Sequence, residues 1–111
     1  MTYDEGLAER IRDLVADEPG VSEMRMFGGL AFLIRGHMAV AASGGGGLMV
    51  RVEPGQTDAL LAEPHARPFE MRGRSMKGWV RVDTGLGTDS ELSEWVDRGV
   101  AFARQLPPKE R

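Results

Sequence analysis

The spacing of apolar and polar residues changes period several times along the chain, and each change predicts an element. Leu7, Ile11, Leu14 and Val15 recur at i, i+4, i+7 and i+8, with Glu5, Glu9, Arg12 and Asp13 elsewhere. That is the apolar stripe of an amphipathic helix over residues 3–17. Asp4 and Glu5 suit the positive end of its dipole, and Pro19-Gly20 ends it. From Val21 to Phe27 the pattern becomes that of a strand, and Gly28-Gly29 reads as a tight turn in which both glycines take positive φ. Leu30-Ala31-Phe32-Leu33-Ile34 is a nearly continuous apolar run, expected of a strand buried on both faces or at the centre of a sheet. Arg35-Gly36 turns the chain again, and His37 to Ala42 forms the third strand.

Ser43 to Gly47 is a glycine-rich connector rather than a phosphate loop, because neither a Lys-Ser/Thr pair nor a helix follows it. Leu48, Val50 and Val52 alternate with Met49, Arg51 and Glu53, the period of a half-buried strand, and Pro54-Gly55 stops it. Residues 57–62 read as a short helix and residues 63–68, bracketed by Pro64 and Pro68, as an ordered loop. A short strand at Phe69–Met71, a turn at Gly73-Arg74-Ser75 and a last strand from Met76 to Val82 follow. After a loop at Gly85-Leu86-Gly87, Thr88 and Glu91 have capping-box spacing, with Asp89 as the alternative cap. The final helix carries Leu92, Trp95, Val96, Gly99, Phe102, Ala103 and Leu106, and Pro107-Pro108 ends it. This order predicts an α+β fold of two layers: an antiparallel sheet of about five or six strands, with N- and C-terminal helices and one short helix. The 111 residues form one expected domain, with a core over about residues 5–106 and a frayed tail at 107–111.

Composition narrows the function. No apolar run approaches the roughly 20 residues a membrane span needs. The start, Met1 to Glu5, lacks the basic and apolar regions of a secretory signal, so the cytoplasm is the expected compartment. Without cysteine there is no disulfide, thiol nucleophile or thiolate metal site. The net charge of −3 argues against a dedicated nucleic-acid binder, although residues 35–82 carry seven bases against four acids between more acidic ends.

The candidates for chemistry are few. His37 and His65, the only histidines, form no H-x-x-x-H pair, and Ser75 with Lys77 reads as a turn serine beside a solvated lysine. No catalytic residue, metal ligand or cofactor site can be named, and the expectation is a protein that is not an enzyme. Gly28, Gly29 and Gly36 are assigned to turns. Met24, Met26, Met38, Met49, Met71 and Met76, all on or beside strands, read as core filling, with a groove or dimer face as the alternative. An interaction or anion patch is drawn around Arg51, Arg67, Arg72, Arg74, Lys77, Trp79 and Arg81, since arginines offer bidentate donors and Trp79 points away from Val80 and Val82.

Four blocks, Met26-Phe27-Gly28-Gly29-Leu30-Ala31-Phe32, Gly36-x-Met38, Leu48-x-Val50-Arg51-Val52 and Met76-Lys77-Gly78-Trp79-Val80, occur in an order that resembles the N-terminal domain of the TfoX/Sxy family. The resemblance runs from about residue 5 to residue 106. It implies a compact α+β unit of bacterial origin. Its best-known members regulate natural competence, acting with the cyclic-AMP receptor protein on DNA-uptake genes. Those regulators carry a second, C-terminal domain, which is not expected here because the chain stops soon after Pro107-Pro108. The resemblance carries over no catalytic residues. The expected function is therefore a small regulatory module working through a protein partner or a second copy of itself. The alternative is a nucleic-acid-associated regulator that uses the basic middle segment.

Overall fold

Asp4 begins the first helix by accepting the Leu7 backbone N–H on its side chain at 3.1 Å, which satisfies one of the donors that a helix start leaves open. In the computed structural model, which describes residues 3–26, 28–44, 47–63, 65–71, 73–83 and 89–107, this helix is α1 (Glu5–Leu14). Its buried stripe is Leu7, Ala8, Ile11 and Val15, whereas Leu14 is 43% exposed. The stripe is thus rotated slightly from the one read in the sequence, because the small Ala8 faces the sheet and the larger Leu14 falls at its margin.

Six strands follow, β1 (Val21–Met26), β2 (Gly29–Ile34), β3 (His37–Ala42), β4 (Leu48–Arg51), β5 (Ala66–Met71) and β6 (Arg74–Val82). Between β4 and β5 come a 3₁₀ turn, Pro54–Gln56, and the short α2 (Thr57–Leu60); α3 (Asp89–Gln105) closes the order. The strands form one antiparallel sheet in the order β1-β2-β3-β4-β6-β5. The fold is α+β. β2 is buried at every position, as its apolar run implied, yet it lies second from the edge, with β3 and β4 at the centre.

Three local readings change. Gly28 carries positive φ (77°), but Gly29 does not: it is the first residue of β2, paired with Met26. Its lack of a side chain serves close packing, since a Cβ there would lie 2.4 Å from the Ala42 carbonyl oxygen. Consecutive positive φ occurs instead at Arg35 (53°) and Gly36 (89°), between the paired Ile34 and His37. Pro68 does not end a loop but sits within β5, opposite Val80. β5 is an edge strand, where a residue without an N–H can leave the ladder intact. Phe27, Pro64, Arg72, the loop at 85–87 and the Thr88 cap lie outside the described residues.

One sheet face is packed. Phe32, Ile34, Val40, Leu48, Val50 and Val80 meet Leu7 and Ile11 of α1 and Leu92, Trp95, Val96, Val100 and Ala103 of α3. A bulge in β3 shapes this face: Phe32 pairs with Val40 and Leu33 with Met38, so Ala39 has no partner, and Ala39 and Val40 both enter the core. α3 approaches the bulge at Gly99. A Cβ on Gly99 would stand 2.4 Å from the Ala39 carbonyl oxygen and 2.8 Å from Val40 Cγ1. The buried Thr57 anchors the start of α2, accepting the Gly78 N–H on its hydroxyl oxygen at 2.9 Å.

Two bidentate ion pairs tie the layers together at their margins. Arg12 of α1 donates to both carboxylate oxygens of Glu23 on β1 (2.6 and 2.9 Å). Arg104 of α3 does the same to Glu18 (3.1 and 2.6 Å). The hydrogen bonds from the guanidinium groups hold both carboxyls below the ordinary glutamate range, against the opposing effect of desolvation.

Helix propensity alone favours Gly99→Ala by about 1 kcal/mol. The clash with Ala39 decides the sign, and Gly99→Ala and Gly29→Ala should each lower stability by about 1–3 kcal/mol in thermal melts. A raised Tm for either variant would show that the close approach does not constrain the fold. The ion pairs give a pH dependence. Their contribution is present above the ordinary glutamate pKa of about 4.3 and is lost as the pH falls through the lower folded-state values. In a Glu18→Gln/Glu23→Gln variant the acid limb of the Tm profile should therefore flatten. The neutral-pH loss should be small and should shrink in high salt, since all but the Glu18 side chain are at least a third exposed.

Candidate functional site

The strand register places Met24, Ala31, Ala41, Met49, Arg81 and Arg67 side by side across all six strands, from β1 through β2, β3, β4 and β6 to β5. Side chains alternate between faces, so this row lies on the side opposite the packed core. Beside it, Leu33 pairs with Met38. Ala31, Leu33 and Ala41 form a second apolar cluster, with Met38 and Met49 packed against it. Among the described residues its members come from β2, β3 and β4, and no helix contributes. Met24 at the margin is 50% exposed. Met38 and Met49 are half-buried over Ala31, Leu33 and Ala41, whereas Met24 and Met76 are exposed. Methionine suits such a position, because its unbranched, polarisable chain adapts to whatever lies against it.

Toward β5 the face changes character. Trp79 pairs with Arg51 and shares the face of Arg81 and Met49. Its ring centroid is 6.4 Å from that of Phe69, at a tilt of 53°. The Arg51 guanidinium carbon lies 5.7 Å from the Trp79 ring and 5.5 Å from the ring of Phe102 on α3. Phe69, Trp79, Arg51 and Phe102 therefore form one continuous stack that runs from the edge strand to the helix layer. Arg67 holds Asp83 at 2.8 Å, directly across from Arg81, which softens the repulsion between two arginines paired cross-strand.

Of the patch drawn from the sequence, Arg51, Arg67, Trp79 and Arg81 come together on the open face. Lys77 does not join them. Gly78 has a positive φ (91°), which interrupts the alternation, and Lys77 instead holds Asp58 of α2 at 3.1 Å. Arg74 is exposed at the start of β6, beyond the group, and Arg72 lies outside the described residues. Of the turn glycines, Gly28 and Gly36 lie in turns and Gly29 does not. His37 approaches the Pro107 carbonyl oxygen at 2.6 Å through Nε2, so Nε2–H is the donor and the chain after α3 is tied to the start of β3. The packing side of the methionines could not be read from residue type, because it depends on the pairing register and on the bulge at Ala39. Phe102, placed by its spacing among the apolar positions of the final helix, is half-buried and faces Arg51.

Among the described residues no group of three or more His, Asp or Glu side chains could hold a metal ion. Nor is any helix among them long and apolar enough to cross a membrane. A six-stranded antiparallel sheet with helices on one face and a methionine-rich opposite face defines a two-layer, open-faced α+β domain. The sequence matches the TfoX N-terminal domain over residues 13–103, and the chain belongs to that family. Comparison with curated proteins finds no match.

The stack predicts that Trp79→Ala costs stability as well as surface. Losing the contacts with Phe69 and Arg51 should destabilise the protein by about 1–2.5 kcal/mol in denaturant unfolding, while Arg74→Ala, outside the stack, should change it by less than about 0.5 kcal/mol. Equal, near-zero effects would mean that the rings do not brace this end of the sheet.

Proposed function

We propose that this chain is a non-enzymatic, competence-regulator-like domain that works in the cytoplasm by docking a protein partner on the open face of its sheet. The observation that carries this reading is the row Met24, Met38 and Met49, which lies over the buried Ala31, Leu33 and Ala41 on the side of the sheet away from α1 and α3. Membership of the TfoX N-terminal domain family supports the regulatory role. Methionines on this face call for a partner that brings apolar anchors to it. A second reading is contact with single-stranded nucleic acid through β4, β6 and β5. Aromatic rings among arginines can stack bases, and Trp79 and Phe69 stand beside Arg51. It is the weaker one, because Arg67 and Lys77 already face Asp83 and Asp58.

The test is crosslinking with mass spectrometry on the native protein and on a Met24→Glu/Met49→Glu variant whose Tm is unchanged. Crosslinks to a partner should map to the open face and weaken about tenfold or more in the variant. Asp97→Lys, on the exposed side of α3, should leave them intact. A strictly monomeric protein without crosslinks above background, or a variant that binds normally, would overturn the proposal. DNA binding that falls steeply with salt and survives the methionine changes would favour the second reading.

A further inference from the structure

The second half of α3 and the segment leading from β4 into α2 enclose a cleft of about 240 Å³, on surfaces separate from the open sheet face. Val52, Leu60 and Phe102 supply its apolar wall, and the Arg98 guanidinium borders it with the amides of Gln56 and Gln105. The exposed Glu53 and Ala101 complete the lining. Arg98 and Gln105 are seven residues apart on one helix, so the polar groups are spread over about 10 Å of the cleft.

Among the described residues Arg98 is held in place with one of its nitrogens, Nη1, unmatched. Its guanidinium carbon stands 4.5 Å from the ring centroid of the buried Trp95, a stacking that fixes its plane before any ligand arrives. The nearest carboxylate oxygen, Glu63 Oε1, is 3.8 Å from Nη2, close enough to attract but too far for a hydrogen bond. Nη1 is buried and has no hydrogen-bond partner among the described residues. A guanidinium has five N–H donors in a planar fork, and leaving a charged donor unmatched away from water carries a free-energy cost. The side chain is still 32% exposed, so the cleft gives access to its outer donors, whereas Nη1 stays buried. A carboxylate arriving from solvent would meet Nη2, which Glu63 does not reach at hydrogen-bond distance.

We propose that the cleft binds a small organic carboxylate with an apolar body. The carboxylate replaces Glu63 at Arg98, and the body lies against Val52, Leu60 and Phe102. The volume, below the roughly 300–1,000 Å³ of pockets for drug-sized molecules, limits the body to a single ring or short chain. Glu53 distinguishes two sources of the same chemistry. A simple carboxylate uses only Arg98, whereas an amino acid also places its ammonium group toward Glu53.

The probes are phenylacetate, phenylalanine and the uncharged 2-phenylethanol, followed by Tm and by backbone amide shifts on the intact chain. At least one of the first two should raise the Tm saturably and shift amides of residues 52–60 and 98–105, with 2-phenylethanol about tenfold weaker or absent. Tighter binding of phenylalanine than of phenylacetate supports the amino-acid form, and the reverse order supports the simple carboxylate. Arg98→Met should weaken binding about tenfold or more while leaving the Tm equal to or above that of the native protein. A purely structural arginine would instead lower the Tm when removed. Ala101→Trp, at an exposed helical position, should fill the cleft and abolish binding in a folded protein, and it decides the matter if Arg98→Met fails to fold. Absence of saturable binding by either carboxylate, equal binding of the alcohol, or unchanged binding by a folded Arg98→Met or Ala101→Trp overturns the proposal.

Discussion

The contact of α3 with the β3 bulge is the constraint on which the other features depend. The Ala39 carbonyl occupies the space that a side chain at Gly99 would need, so the helix settles against the sheet only because that side chain is missing. Seated there, α3 brings Trp95, Val96, Val100 and Ala103 onto the central strands and leaves α1 room beside it on the same face. Among the described residues both long helices are thereby committed to one side of the sheet. The helix-free side follows from the geometry of the other one.

Much of this was legible in residue order. Apolar periodicity reports burial directly, which is why the helices, the four-strand meander and the last strand stand out. The parts that were not legible depend on information that periodicity lacks. In a run of two glycines, composition does not tell which one bends the chain and which one makes room; Gly28 bends and Gly29 makes room for Ala42. Arg35 adopts a left-handed backbone that its side chain disfavours, because the Ile34–His37 pairing leaves just two residues for the turn. Pro68 reads as loop until its strand is known to be an edge. Arg98 resembles an ordinary charge on a solvated helix face, and only the tertiary fold sets it between Trp95 and a cleft.

The two surfaces of interest belong to different layers and meet at one side chain. Phe102 lines the cleft behind the helix, Trp79 belongs to the open face, and the Arg51 guanidinium lies within 6 Å of both rings. The arginine at the end of a central strand thus has a bracing role that its charge alone did not indicate. Its cation is held by aromatic faces, which is consistent with arginine rather than lysine at this position.

The bulge at Ala39 has a further effect, on sidedness. Because Ala39 and Val40 both turn inward, the alternation before them is reversed, and Met38 emerges on the open face rather than in the core. Which side chains lie on this face is therefore encoded in the length of β3 as well as in its residue types. A one-residue insertion or deletion there would exchange inner and outer positions over the first half of the strand. A change in strand length alone would therefore reshape this face while leaving the architecture and the methionines in place.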